Sequence, residues 1–323
     1  MIYINLTYGF GNNLFQFHFA RLISEELNLP FRCTGKVSSY FSKYESELPK
    51  KYIKINDKFL NNRRKNENEI IEEINNNLNQ NILLKGFFEY KNFFIKHRKN
   101  IINFHLNNDL IFSKESFVIK NNLNIIHIRL NNRLVQLNHS LRWIDPEKFF
   151  NLIFEKFPDI NNWKIISDFN FFTEDIHKEI NNLRREIYEG PNKFSILIDK
   201  KISLNYALKW IGAIKNNKRL ICENINTSNT FIKNSGGLRK DFINDFELLM
   251  KSENLIFWSS TYSWWASFLS NKSNIYIGSP WRMDRSRKLD PSLDQANIPN
   301  KSNFNLANLR YEFHIKSNIL IYI

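Results

Sequence analysis

The chain has 323 residues, 42% of them hydrophobic and 29 of them Phe, which suffices for one large domain or two ordinary ones and excludes global disorder. Basic residues exceed acidic ones by 46 − 32 = 14, yet the runs NNRRKNENE (61–69) and KHRKN (96–100) mix charge with Asn. They lack the interleaved aromatics of a nucleic-acid surface, so of the partners such a charge admits (nucleic acid, an anionic membrane surface, small anions) nucleic acid is the minority reading, and part of the excess is an ordinary Lys-rich surface. Cys33 and Cys222 are the only cysteines, and they offer neither a CxxC pair nor metal-ligand spacing, which excludes a disulfide framework.

In chain order, IYINL (2–6) predicts a buried strand and NNLFQFHFARLISEELNL (12–29) the helix after it. Residues 36–80 are polar and Asn-rich, with a helix around EIIEEINNNL (69–78). NILLKGFF (81–88) predicts a second strand and YKNFFIKHRKNI (90–101) a helix. The pattern restarts with strand LNIIHIRL (123–130), helix PEKFFNLIFEKF (146–157), strand WKIISD (163–168), helix FFTEDIHKEINNLRR (171–185) and strand FSILI (194–198). DFINDFELLMKS (241–252) predicts a helix, NLIFWSS (254–260) a strand, TYSWWASFLS (261–270) a helix and NIYIGS (274–279) a last strand. Strands alternating with helices indicate βαβ units and parallel sheets. The two series predict an α/β protein of two domains facing across a cleft, residues 1–115 and 116–323.

The chain holds only nine glycines, and two fall in TYGFGNNLFQFHFARL (7–22), where the first strand gives way to a helix. Gly9 and Gly11 there permit positive φ and close backbone approach, and a helix start can hold an anion. The pattern is not a dinucleotide G-x-G-x-x-G, because Leu14 occupies the third glycine position. Asn12 can bond a sugar hydroxyl or a phosphate oxygen. The alternative is a plain strand-to-helix turn with Asn12 as N-cap.

In IIHIRLNNR (125–133), His127 and Arg129 are two apart and share one face of a strand. A guanidinium in so apolar a strand is costly unless it is partnered. At the carboxyl end of a parallel strand it suits forked contact with a diphosphate; the alternative is a structural salt bridge to a carboxylate in the neighbouring domain. In LIFWSSTYSWWASFL (255–269) a strand ends in Ser259, Ser260 and Thr261 and a helix follows. These hydroxyls and free N–H groups make either an anion pocket or an ordinary N-cap. Trp264 and Trp265 are expected in the core. Asp245, on the helix before, is either a surface residue or one that reaches the ligand. Ser167 and Asp168 at the tip of WKIISD can accept bonds from a base or ribose, and Glu89, after Gly86 at a strand end of the first domain, can face an acceptor; the alternative for either carboxylate is a solvated loop residue.

These segments together resemble the family 11 glycosyltransferases, the α-1,2-fucosyltransferases. GFGNNLFQFHFAR is similar to their GxGNxxFQ opening, LKGFFEYKNFF to GYxQSxKYF, IIHIRL to HxRxGD and IISDFNFF to FSDD. DFELLMKSENLIFWSSTYSWWASFLSN is similar to their D-LM…I-NSSFSWWGAWLN block. The matches keep the family's order over about residues 3–281. One departs from it: His127-Ile-Arg129-Leu-Asn131-Asn132 replaces both the Gly and the Asp of HxRxGD, and the neutral Asn132 cannot act as a base.

The resemblance implies two Rossmann-like domains in the GT-B arrangement, a GDP-fucose donor, a glycan or oligosaccharide acceptor, inversion at the anomeric carbon and no metal or other cofactor. By motif position His127, Arg129 and the stretch Ser259, Ser260, Thr261 and Ser263 hold the diphosphate. Asn12 with Gly9 and Gly11 closes over fucose and diphosphate, and Asp168 lies near the nucleoside. The acceptor hydroxyl needs a proton acceptor, for which Glu89, His18 and His139 are candidates, Glu89 being preferred for its place in the acceptor-side domain. The Asn131-Asn132 change leaves open another nucleotide sugar, or a relative that binds glycan or nucleotide without turnover. MIYINLTYGF lacks the basic and long apolar regions of a signal peptide, and no stretch reaches the ~20 apolar residues of a spanning helix. A cytoplasmic protein is expected, with at most peripheral membrane contact.

Overall fold

The computed structural model describes residues 1–7, 9–35, 39–57, 65–108, 122–135, 145–171, 173–189, 197–221, 240–257, 260–270 and 274–277. The chain divides into two compact units. Unit 1 comprises residues 1–119, 234–250 and 261–271; unit 2 comprises residues 120–233, 251–260 and 272–323.

Unit 1 is built on four parallel strands, β1 (Ile2–Leu6), β2 (Phe31–Gly35), β3 (Ile53–Asn56) and β4 (Ile82–Lys85), in the order β2-β1-β4-β3. Ile4 pairs with both Cys33 and Leu84, so the apolar β1 and β4 lie centrally while the more polar β2 and β3 take the edges. Helix α1 (Phe10–Glu26) joins β1 to β2 and is buried on nearly every side from Phe10 to Ser24. Apolar residues all round a helix require a covering on each face. One face lies on β1, and another meets helix α10 (Thr261–Leu269), where the Phe15 ring lies 4.7 Å from Trp264 and 5.0 Å from Trp265. Trp264 and Trp265 are thus core residues, as expected.

Helix α2 (Glu67–Asn75) opens with a capping box between Asn66 and Glu69, which satisfies two helix-start N–H groups reciprocally. The helix expected at 90–101 is two, α3 (Lys91–Lys96) and α4 (Arg98–Asn108), because His97 leaves helical geometry at φ −96°, ψ 9°. Arg98 donates to the carbonyls of Phe268 and Ser270, both at 2.7 Å, closing the C-terminal end of α10. The thiol of Cys33, on β2, is buried and pushed up to about 12 by that burial and by Glu45.

Unit 2 holds five parallel strands, β5 (Asn124–Ile128), β6 (Trp163–Ser167), β7 (Leu220–Ile221), β8 (Asn254–Phe257) and β9 (Asn274–Ile277), in the order β7-β6-β5-β8-β9. Counted within the unit this is 3-2-1-4-5, the order of the doubly wound nucleotide-binding sheet. Its helices are α5 (Asn131–Val135), α6 (Pro146–Lys156), α7 (Ile176–Glu189) and α8 (Lys200–Lys215). Pro at the first turn and the Asp145 side chain accepting from Lys148 N start α6. Asp199 caps α8 in the same way, and Ser203, Tyr206, Ala207, Trp210 and Ile214 form its buried stripe. The core gathers Trp163, Phe149, Phe150 and Trp210 between sheet and helices; each such fully buried side chain contributes roughly 1.5–3 kcal/mol. Helix α9 (Lys240–Lys251) lies mostly in unit 1.

The parallel α/β sheets expected from the sequence are present. Strands β2, β3 and β7, the 3-10 turn at Ser39–Tyr44 and helices α5 and α8 were not among the expected elements. The strand expected at 194–198 lies mostly outside the described residues.

Candidate active site

In unit 1 the two central strands are the adjacent parallel β1 and β4, and in unit 2 the strand order reverses between the adjacent parallel β5 and β8. Ligands of open α/β sheets bind at the carboxyl ends of such strand pairs.

In unit 1 the two ends are tied by Gln16 of α1. Thr7 N donates to its Oε1 at 3.1 Å, and its Nε2 donates to Thr7 Oγ1 at 2.9 Å and to the Gly86 carbonyl at 2.7 Å. Beyond β4, Asp57 Oδ2 accepts from Phe87 N at 2.8 Å and Phe88 N at 3.0 Å. A methyl group on Gly86 would overlap that carboxylate. Phe88 is in the left-handed region, φ 50°, and Glu89 after it is buried, with 9% of its surface exposed.

The opening loop differs from the expectation at Gly9 and Asn12. Gly9 is the N-cap of α1 with extended backbone, φ −76°, and a Cβ there would meet nothing within 4 Å, so positive φ is not its function. Asn12 lies one turn into the helix, its N donating to the Gly9 carbonyl; it is therefore not the N-cap, and its half-buried side chain has no partner among the described residues. Gly11 does answer to a close approach, and the approaching group is protein. A Cβ on Gly11 would lie 2.5 Å from Thr261 C and Tyr262 N, the backbone that opens α10. Two loops read separately from the sequence thus meet inside unit 1.

At that helix start Thr261 keeps 9% of its surface and Ser263 is fully buried. Tyr262 stacks edge-on to Phe246 at 5.0 Å. Burial, and after it Asp245 and Tyr40, hold its hydroxyl well above the usual phenol range. Asp245 therefore acts on this aromatic cluster of unit 1.

His18 lies wholly inside unit 1. Arg21 Nε donates to its Nδ1 at 3.4 Å, which leaves the proton on Nε2 to donate to His105 Nε2 at 2.9 Å. Burial, the neighbouring histidine and Arg21 keep His18 far below its usual pKa, and burial with Arg21 brings His105 down to about 3. Trp265 covers the His18 ring at 5.3 Å. A fully enclosed, hydrogen-bonded imidazole is a core residue, not one that an acceptor hydroxyl can reach.

In unit 2 His127, paired in register with Phe257 of β8, is buried and neutral, its pKa brought to about 3 by burial and by the cations Arg129 and Arg133. Arg129 follows the end of β5 and is half-buried; among the described residues it has no ion pair or hydrogen bond, and its charge acts on the Asp168 carboxylate at the end of β6. Ser260 follows β8, the adjacent strand, and is fully buried.

Asp168, at the end of β6, turns inward to the protein. Its Oδ1 accepts from Leu130 N at 2.6 Å and Asn131 N at 3.2 Å, capping α5. Burial raises its pKa against the pull of Arg129, the two N–H groups and Arg133. Asn131, where the resembled motif has glycine, is 4% exposed and its Oδ1 has no partner among the described residues. Ser259, His139 and Cys222 lie outside the described residues, as does the side chain of Asn132. Among the described residues no group of three or more His, Cys, Asp or Glu is placed to hold a metal ion, and no helix is long and apolar enough to cross a membrane.

Gln16 and Asp57 were not singled out in the sequence. Gln16 stands inside the FQ of GFGNNLFQ, a signal for it; Asp57 follows a short polar strand and has none.

The family model of glycosyl transferase family 11 matches residues 213–300, a stretch that holds α9, β8, α10 and β9. The match is consistent with a glycosyltransferase of that family, an enzyme that transfers a sugar from a nucleotide-sugar donor to a glycan acceptor. No curated protein matches the chain.

Proposed function

We propose that the chain is an inverting, metal-independent glycosyltransferase of GT-B type that moves fucose from GDP-fucose to a glycan hydroxyl. The observation that carries this reading is Arg129. It is a half-buried guanidinium with no hydrogen bond or ion pair among the described residues, drawn only at longer range to the Asp168 carboxylate, at the point where a 3-2-1-4-5 sheet reverses its order. Family 11 similarity in residues 213–300, which include β8 and α10, supports it.

In this reading unit 2 serves the nucleotide sugar. As the anomeric C–O bond breaks, its electron pair passes to the β-phosphate, and Arg129 stabilises the charge that builds there. His127 stays neutral beside it and offers a hydrogen bond without a second charge. Ser260 follows β8, the adjacent strand, and Asp168 fixes the turn after β5 that carries Arg129. Unit 1 serves the acceptor. Asn12 bonds the sugar, and Glu89 takes the proton of the acceptor hydroxyl as its oxygen bonds the anomeric carbon.

Arg129→Ala is expected to lower kcat ~10²–10³-fold with an unchanged melting temperature, and Arg129→Lys to restore only part, since a point charge replaces a fork. Near-full turnover by Arg129→Ala would overturn the leaving-group role. Selective thermal stabilisation of the wild type by GDP over UDP and over an oligonucleotide supports the donor. Stabilisation by UDP alone favours a second reading, another nucleotide sugar, which the buried Asn131 amide in place of glycine suggests.

A further inference from the structure

The turn that carries Glu89 is held in a conformation its residues would not adopt unaided. Phe88 has φ 50°, unfavourable for a bulky side chain because Cβ crowds the backbone. Such a residue persists only where its surroundings determine it, and these sites gather where function needs a fixed geometry. Here the surroundings can be named. Asp57 Oδ2 accepts from the N–H groups of Phe87 and Phe88. The Phe88 ring is fully buried and stacked on Phe19 of α1 at 4.7 Å and 8°. Its carbonyl accepts from Tyr90 N at 2.8 Å. Gln16 grips the Gly86 carbonyl at 2.7 Å, and Gly86 leaves the space that the Asp57 carboxylate fills.

A carboxylate accepting two successive N–H groups is a stronger clamp than a neutral acceptor, and the backbone it holds, Phe87–Phe88, directly precedes Glu89. We infer that Asp57 is a positioning residue: by clamping the Phe87–Phe88 backbone it presents Glu89 in one orientation, with Gln16 bracing the other side of the turn. This rests on the reading of Glu89 as the proton acceptor. Asp57 itself touches no reacting atom. Its effect comes through geometry, where displacement by about 1 Å can cost ~10²-fold in rate.

Two measurements on the full chain test it. Amide hydrogen exchange at Phe87 and Phe88 should accelerate in Asp57→Ala and return towards wild type in Asp57→Asn, whose amide oxygen still accepts, with the rest of unit 1 unchanged. Steady-state transfer from GDP-fucose to lactose should fall in kcat by about 10²-fold in Asp57→Ala, with KM for GDP-fucose within about twofold and most of the rate recovered in Asp57→Asn. In the Glu89→Gln background the same Asp57→Ala change should cost less than about threefold, since residues acting as one unit are not additive.

An equal loss in both backgrounds would mean that Asp57 only stabilises the fold, and unchanged exchange at Phe87 and Phe88 would mean that it does not hold the turn. Either result overturns the inference while leaving Glu89 in place. Full turnover by Glu89→Gln would instead remove the proton-acceptor reading, and the inference with it.

Discussion

At the ends of β1 and β4 the polar groups of unit 1 answer one another. Gln16 bridges Thr7 and Gly86, and Asp57 serves Phe87 and Phe88. At the ends of β5 and β8 in unit 2 the balance is different. Among the described residues Arg129 and Arg133 act on the neutral His127 and on one carboxylate, Asp168, whose Oδ1 is already bound to two backbone N–H groups. The carboxyl ends of two adjacent parallel strands thus carry a hydrogen-bonded polar frame in unit 1 and, among the described residues, two cations to one carboxylate in unit 2. A rigid frame suits the orientation of a neutral hydroxyl, and surplus cations suit a departing anion. Backbone topology therefore locates a candidate site, and side-chain accounting says what kind of ligand it awaits.

The comparison can be broken most strongly with acid. His105 in unit 1 and His127 in unit 2 are both held near 3, whereas unfolded they take up a proton near pH 6.5. Their contribution to stability is complete above pH 6.5 and drains away as pH falls towards 3, about 2 kcal/mol for each at pH 5. Urea unfolding at pH 7.5 and pH 5 should show this loss, and His105→Gln and His127→Gln should each flatten it. Equal acid sensitivity in all three proteins would mean that neither imidazole is buried as described.

Next in size is Gly11→Ala, whose methyl would press on the Thr261–Tyr262 backbone; about 1–3 kcal/mol should be lost, read from the shift of the urea midpoint. Asp168→Ala, which deprives α5 of its cap, should cost about 1 kcal/mol on the same measurement, and Asp168→Asn less. Gly9→Ala should be the smallest, within about 0.5 kcal/mol, because nothing lies within 4 Å of the added carbon. Were Gly9→Ala the costlier of the two glycine changes, the contact between α1 and α10 would be misdescribed.

The central strands were legible in the sequence because a strand covered on both faces reads as an unbroken apolar run, as in IYINL and NIIHI. Strands β2 and β3, written FRCTG and IKIN, are edges that mix polar residues with apolar ones, and no run marks them. Helix α8 carried a readable period and a capping aspartate that the sequence reading passed over. Of the candidate site, the strand-end residues Arg129, Ser260 and Glu89 could be found from position alone. The burial of Ser260 and Ser263, the inward turn of Asp168 and the clamp by Asp57 could not. Each depends on which strand lies beside which, and Asp57 meets Phe88 across 31 residues of chain.

The contribution of α10 to unit 1 bears on how the protein is made. A ribosome releases the four strands of the first sheet, and the phenylalanines of α1, long before residues 261–269 leave the exit tunnel. Until then Phe15 and Phe94 lack the indole rings of Trp264 and Trp265 that cover them in the finished fold. The nascent N-terminal segment must wait with a sticky apolar seam open, the sort of intermediate that chaperones shield. A fragment ending near residue 119 would keep that seam for good and is expected to precipitate.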